Sequence, residues 1–369
     1  MCSGCDDRFD YVVASAAVGN SSAISPLPVQ SHVQDFNSFK PAPPESTRNS
    51  VSQLRSIFTD LYRIASNPWR AMRLRKMRST GTVPVFSVFY HRIAKSDPNP
   101  WSMDFATFKH QIRWMQERFD IISMQEAQQR IDSGFNDRPA IVITFDDGYA
   151  ENCEEALPFL ICEKIPVTYF VTTGNAVNAL PFQHDVDLGR PLPINTIESL
   201  RSIANAGIEI GAHTRTHPDL GSLEDPEKIF DEVVNATRDL EQAIGKKINY
   251  FAFPFGQYVN MQASIFHLLK QQGIKGVCSA YGGWNEIGGD SFHIQRVHGD
   301  PNFSRMQNWL SFDPRIGSVE RFDYSETEAS IDWDAWVKEN PNFQNNEPQK
   351  PLKADAAEEA KKKATQATK

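Results

Sequence analysis

The chain has 369 residues, of which 40% are hydrophobic and 23% charged, and a formal net charge of -8. That length holds one large domain or two small ones of ~100–200 residues each, and the composition is that of a globular protein with a sizeable core. The acidic balance excludes a general nucleic-acid binder, which needs Lys and Arg clustered against phosphates, and suits a neutral or cationic substrate.

Residues 1–50 are rich in Ser, Pro, Asn and Gln without sustained periodicity and read as a disordered tail. Cys2 and Cys5 make a lone C-x-x-C. The five cysteines, odd in number and without framework spacing, favour a reducing compartment. The N-terminus has no basic n-region, its small-residue run from Val12 to Val18 is short for a signal-peptide core, and no apolar run approaches the ~20 residues of a membrane span. The expectation is a cytoplasmic protein, with the inner face of the membrane as the alternative. In residues 51–82, Leu54, Ile57, Phe58, Leu61 and Ile64 recur at helical spacing ahead of Trp69, Arg70, Arg73, Arg75, Lys76 and Arg78. This basic amphipathic segment either contacts an anionic membrane surface through 51–78 or packs on the domain with a solvated basic end.

Residues 83–317 alternate strand-like and helix-like stretches. The strands are read at Val83–Tyr90, Ala140–Phe145, Pro166–Val171, Ile208–His213, Asn249–Pro254, Ile274–Ser279 and His293–Val297, short runs that look buried. Among the helices, Phe105, Phe108, Ile112 and Met115 form an apolar stripe, Ser123 and Glu126 make a capping box, and Asp225-Pro226 opens a helix that Gly245 closes. Strands alternating with helices imply a parallel sheet, here an α/β fold with a distorted (β/α) barrel of about seven or eight strands. Residues 318–369 read as a low-complexity tail ending in the Ala/Lys/Glu run Lys353–Lys369.

Two places carry chemistry. The strand ending at Phe145 runs into Asp146-Asp147-Gly148-Tyr149, and paired carboxylates at the carboxyl end of a barrel strand stand where barrel enzymes keep their catalytic groups, although Asp-Asp-Gly alone is more often a turn. The strand ending at His213 runs into Thr214-Arg215-Thr216-His217. Histidines four apart share a face if the turn is helical, and two imidazoles with one carboxylate leave positions on a metal open to water and substrate.

Thr144-Phe145-Asp146-Asp147-Gly148, His213-Thr214-Arg215-Thr216-His217 and Phe253-Pro254-Phe255-Gly256, in that order and preceded by Val88-Phe89-Tyr90-His91-Arg92-Ile93, resemble the motifs of the polysaccharide deacetylases. This family is also called carbohydrate esterase family four, or the nodulation-type chitooligosaccharide deacetylases. The resemblance covers about Val83 to Leu310. It implies that Asp146 is the general base and that Asp147, His213 and His217 hold a divalent metal, zinc by default, with cobalt, nickel or iron also suited to such ligands. It implies further that the main-chain N–H of Phe255 stabilises an oxyanion and that a late histidine protonates the leaving amine, with His298 the candidate and His293 the alternative. Tyr149, Pro254 and Trp284 are substrate-binding candidates, Trp284 through stacking on a sugar ring. One departure stands out. Where the family commonly carries an Arg paired with the catalytic Asp this chain has Ala252, and Arg296 on a neighbouring strand is a substitute source of that charge.

The expected function is metal-dependent removal of N-acetyl groups from an acetylamino sugar in a polysaccharide, oligosaccharide or glycolipid. Hydrolysis of an O-acetyl ester or a non-sugar amide on the same fold, and a catalytically silent carbohydrate-binding protein, are the alternatives. The acetylated sugar is the expected partner, and the oligomeric state is left open.

Overall fold

Eight short runs of β-branched and aromatic residues form one curled sheet: β1 (Val85–Tyr90), β2 (Ala140–Phe145), β3 (Val167–Val171), β4 (Glu209–Ala212), β5 (Tyr250–Ala252), β6 (Gly276–Cys278), β7 (His293–Ile294) and β8 (Val297–His298). The computed structural model describes residues 45–96, 99, 101–313, 319–325 and 331–343, with side chains from residue 61 onward. The N-terminal tail up to residue 44, Cys2 and Cys5, the side chains of Leu54, Ile57 and Phe58, and the Lys353–Lys369 run lie outside the described residues.

The strands lie in the order β7-β6-β5-β4-β3-β2-β1-β8, with every neighbour parallel. Every residue of β1 and β2 is buried, as parallel strands covered on both faces require. β7 and β8 sit at opposite ends of this order, yet only Gln295 and Arg296 separate them. Two residues reach across about 10 Å at most, so the sheet's two edges lie close together and the sheet is a distorted barrel. The run read as one strand, His293–Val297, is thereby split, because it crosses the seam.

The helices follow their sequence signals. α1 (Glu45–Thr80) precedes the barrel. In α2 (Phe105–Gln116) Asp104 caps the first turn and Phe108, Ile112 and Met115 are buried, while in α3 (Met124–Asp132) the Ser123 hydroxyl accepts from the Glu126 N–H at 3.1 Å. The helix that Asp225 and Pro226 open runs through a π-turn at Asp231–Asn235 into α4 (Ala236–Ile244), closed by Gly245 at φ 72°. Ala156–Cys162, Ile197–Asn205, α5 (Ala263–Gln271) and α6 (Phe303–Trp309) also belong to the helical layer. Met77 and Leu74 of α1 pack on the core, and the buried Arg70 guanidinium is fixed by Asp313 and by the Asn308 carbonyl, both at 3.3 Å.

Parts of residues 318–343, read as featureless tail, pack back onto the domain. In α7 (Trp333–Glu339) the indole of Trp333 is buried against Phe230 and donates to the Ser264 carbonyl at 2.8 Å, while Phe322 and Tyr324 stack on Phe266. A few aromatic anchors suffice to dock a segment whose average composition is polar. No described helix is long and apolar enough to cross a membrane.

Candidate active site

The carboxyl ends of parallel strands share one rim, and Asp146 and Asp147 after β2, His213 after β4, Phe255 after β5 and His298 at the end of β8 all stand there. Four non-glycine residues of this rim have left-handed backbone: Asp147 (φ 74°), Thr214 (63°), His217 (63°) and Phe255 (59°). Each such residue costs about 1–3 kcal/mol and persists only where its surroundings over-determine it. Here the bracing is visible. The Glu232 carboxylate accepts from the N–H groups of Arg215 and Thr216, both at 2.8 Å, and the Arg215 guanidinium pairs with Asp231 at 2.8 Å and Asp239 at 2.7 Å. Asp231 and Glu232 belong to the π-turn, a feature that recurs beside functional sites.

Asp147, His213 and His217 present one carboxylate oxygen and two imidazole nitrogens within 4.8 Å of one another. The Nε2 atoms of both histidines lie 3.5 Å from Asp147 Oδ1. His213 Nδ1 is 2.8 Å from the Ala252 carbonyl, which can only accept, so Nδ1 carries the proton and a lone pair on Nε2 faces inward. Asp147 Oδ1 is buried with no hydrogen-bond partner. An orphaned carboxylate oxygen facing two imidazole nitrogens fits a divalent cation. Without one, burial pushes His217 down to about 4. On His213 burial acts downward too but is outweighed by Asp147 and Asp146, which raise it, and Asp147 is held far below the carboxylate range by the surrounding imidazoles in spite of burial.

Asp146 has a different partner. Arg296, fully buried at the barrel seam, donates Nη1 to Oδ1 at 2.7 Å and Nη2 to Oδ2 at 2.8 Å. Its remaining donors reach Thr144 Oγ1 at 3.0 Å and the Ser279 carbonyl at 2.8 Å, and its plane lies between the rings of Phe89 and Phe170 at 4.9 and 5.3 Å. Burial alone would favour the protonated carboxyl of Asp146, but the guanidinium outweighs it and holds the group below its ordinary value. The guanidinium that Ala252 cannot supply beside Asp146 comes instead from the link between β7 and β8.

His298 closes one side of the rim, its ring 6.2 Å from that of His91 and 5.6 Å from that of Trp101, and burial pushes it down to about 4, with His91 and Arg305 acting in the same direction. His293, the alternative proton donor, is not on the rim. It is fully buried at the start of β7 with Nε2 bonded to Ser279 Oγ at 2.8 Å and its ring against Phe266, and burial takes it to about 3.

Trp284 does not reach the rim either. It packs edge-on against Phe86 and at a tilt against Phe312 beneath the Arg73 guanidinium, buried near the amino ends of the strands, because its glycine-flanked loop returns under the barrel. Tyr149 is buried and its phenol donates to Asp185 at 3.0 Å, and Pro254 is buried behind Phe255, so both shape the rim without presenting a face to it. The exposed aromatics at the rim are others. Trp101, 53% exposed, lies 4.8 Å from the His91 ring, and Phe255, 56% exposed, lies 5.0 Å from the His217 ring. Trp101 is not among the sequence candidates; its one signal is a tryptophan directly after the prolines at 98 and 100, close behind the His91 segment.

Residues 134–277 match the family described as polysaccharide deacetylase. The match ends ahead of Arg296 and His298. A chitooligosaccharide deacetylase of a Bradyrhizobium species is 30% identical over 119 residues, 32% of this chain and 46% of that protein. One from Rhizobium leguminosarum is 30% identical over 107 residues, 29% of this chain and 39% of the relative. The chain spans about half the length of the curated relatives it matches. A Streptococcus pyogenes deacetylase solved in complex with acetate shares the fold at a TM-score of 0.51 and 18% identity, over 62% of this chain and 98% of that one.

Proposed function

We propose that this protein is a metal-dependent hydrolase that removes N-acetyl groups from an acetylamino sugar. The observation that carries the reading is one ionised carboxylate, Asp146, set directly beside a second, Asp147, that faces two imidazoles. A divalent cation held by Asp147, His213 and His217, zinc first, with cobalt, nickel or iron also suited to the donors, would polarise the acetyl carbonyl and acidify water. Asp146, oriented by Arg296, takes the proton of the attacking water. The Phe255 main-chain N–H faces the developing oxyanion, and the proton taken by Asp146 is delivered to the leaving nitrogen by way of His298. Trp101 and Phe255 offer faces on which a sugar ring can lie.

The family match over residues 134–277 and the names of the rhizobial relatives support a sugar substrate. Acetate release from N-acetylglucosamine oligomers and from O-acetylated sugars, measured in parallel on zinc- or cobalt-loaded protein, tests the reading. Release from the N-acetyl substrates is expected. Release from the esters alone would replace it with an O-acetyl esterase, and release from neither would leave a carbohydrate-binding protein.

A further inference from the structure

We propose that the end of the barrel opposite the rim docks on an anionic lipid bilayer through α1. Between Leu61 and Thr80 the chain carries six basic residues, Arg63, Arg70, Arg73, Arg75, Lys76 and Arg78, and no acidic one, in a protein whose net charge is -8. Leu61, Ile64 and Met72 are 56%, 64% and 64% exposed, and with Pro68 they recur at i, i+3, i+7 and i+11, which places them on one stripe of the helix. Trp69 is exposed on its flank, and the exposed Arg75 and Lys76 continue the stripe one turn further on. The opposite face, with Arg70, Leu74 and Met77, is the one that packs on the domain.

Beside this helix lies a cleft of about 470 Å³ lined by Arg63, Arg70, Arg78, Glu117 and Arg118, in which Arg118 pairs with Glu117 at 2.6 Å and Arg70 with Asp313 at 3.3 Å. Aliphatic side chains that enter an apolar layer, bordered by arginines at phosphate depth, are what an interfacial helix requires. A nucleic acid would match the arginines but leave Leu61, Ile64 and Met72 without a partner. Because the cleft borders Pro139, just before β2, and the rim lies past Phe145, such docking turns the candidate active site away from the bilayer.

Flotation of the full chain with vesicles tests this. It is expected to float with vesicles of phosphatidylcholine mixed with phosphatidylglycerol, to be released by high salt, and to stay behind with phosphatidylcholine alone. Combining Arg75→Gln, Lys76→Gln and Arg78→Gln should lower the partition about a hundredfold, since each basic residue near an anionic surface contributes roughly fivefold. Ile64→Asp with Met72→Asp should abolish flotation, with unfolding temperatures of both variants close to the parent's. Equal flotation on the two vesicle types, flotation on neither, or full flotation of either variant would overturn the proposal.

Discussion

At the amino ends of β1 and β2, Val85, Phe86, Ala140 and Ile141 are fully buried among apolar neighbours. At their carboxyl ends the same strands lead to Asp146 and Asp147, to left-handed residues on three of the loops around them, and to a buried ion pair whose arginine comes from the seam. The lower half gains by burying apolar area, while the upper half holds charge and strain that the lower half must offset. Substitutions in the two halves should therefore separate stability from chemistry.

The largest expected effect lies on the rim. Asp146→Asn should lower kcat by about 10²–10⁴-fold, the range of a lost general base, and it also leaves the Arg296 charge unpaired. Removing either partner, by Asp146→Asn or Arg296→Ala, should cost about 3–5 kcal/mol in denaturant unfolding, whereas Asp146→Asn combined with Arg296→Met should recover much of that stability and none of the activity. At the amino end of β2, Ile141→Ala should cost about 2–5 kcal/mol and leave kcat per folded molecule unchanged. If it lowered kcat as Asp146→Asn does, the two halves would not be separable.

Much of the rim is legible in the amino-acid sequence alone, and for a physical reason. Asp146, Asp147, His213 and His217 each lie at or just past the end of a buried strand, so the strand pattern alone sends them to one end of a parallel sheet. What sequence does not place depends on register and closure. Trp284 in a glycine-rich loop reads the same whether it faces a sugar or the underside of the barrel. His293 and His298 are five residues apart on what looks like one strand, and only the seam between β7 and β8 sends one into the core and the other to the rim. Arg296 is legible only as a cation on a neighbouring strand, and its bidentate grip on Asp146 depends on closure of the barrel. Glu232, which braces the His213–His217 loop from the π-turn, has no local signal at all.

The buried histidines give the comparison a pH axis. His293, away from the rim, is neutral in the folded protein with its ionisation pushed from 6.5 to about 3, so the unfolded chain binds the proton first as pH falls. Its contribution to stability is complete above about pH 6.5 and is lost progressively toward pH 3, and a His293→Gln variant should show a shallower loss of unfolding temperature with acid over that window. The smallest effect belongs to Trp101. Trp101→Ala should raise KM about tenfold, the equivalent of about 1.4 kcal/mol, with stability unchanged because the ring is exposed. A change in unfolding temperature instead would return Trp101 to a packing role.

The measurement closest to the central claim is metal content and acetate release on the same preparations, parent and Asp147→Ala, before and after chelation. The parent should hold a single divalent ion per chain and lose it together with acetate release on chelation, and Asp147→Ala should lack both. Undiminished acetate release from the chelated parent or from Asp147→Ala would contradict the assignment of Asp147, His213 and His217 as the centre of the chemistry.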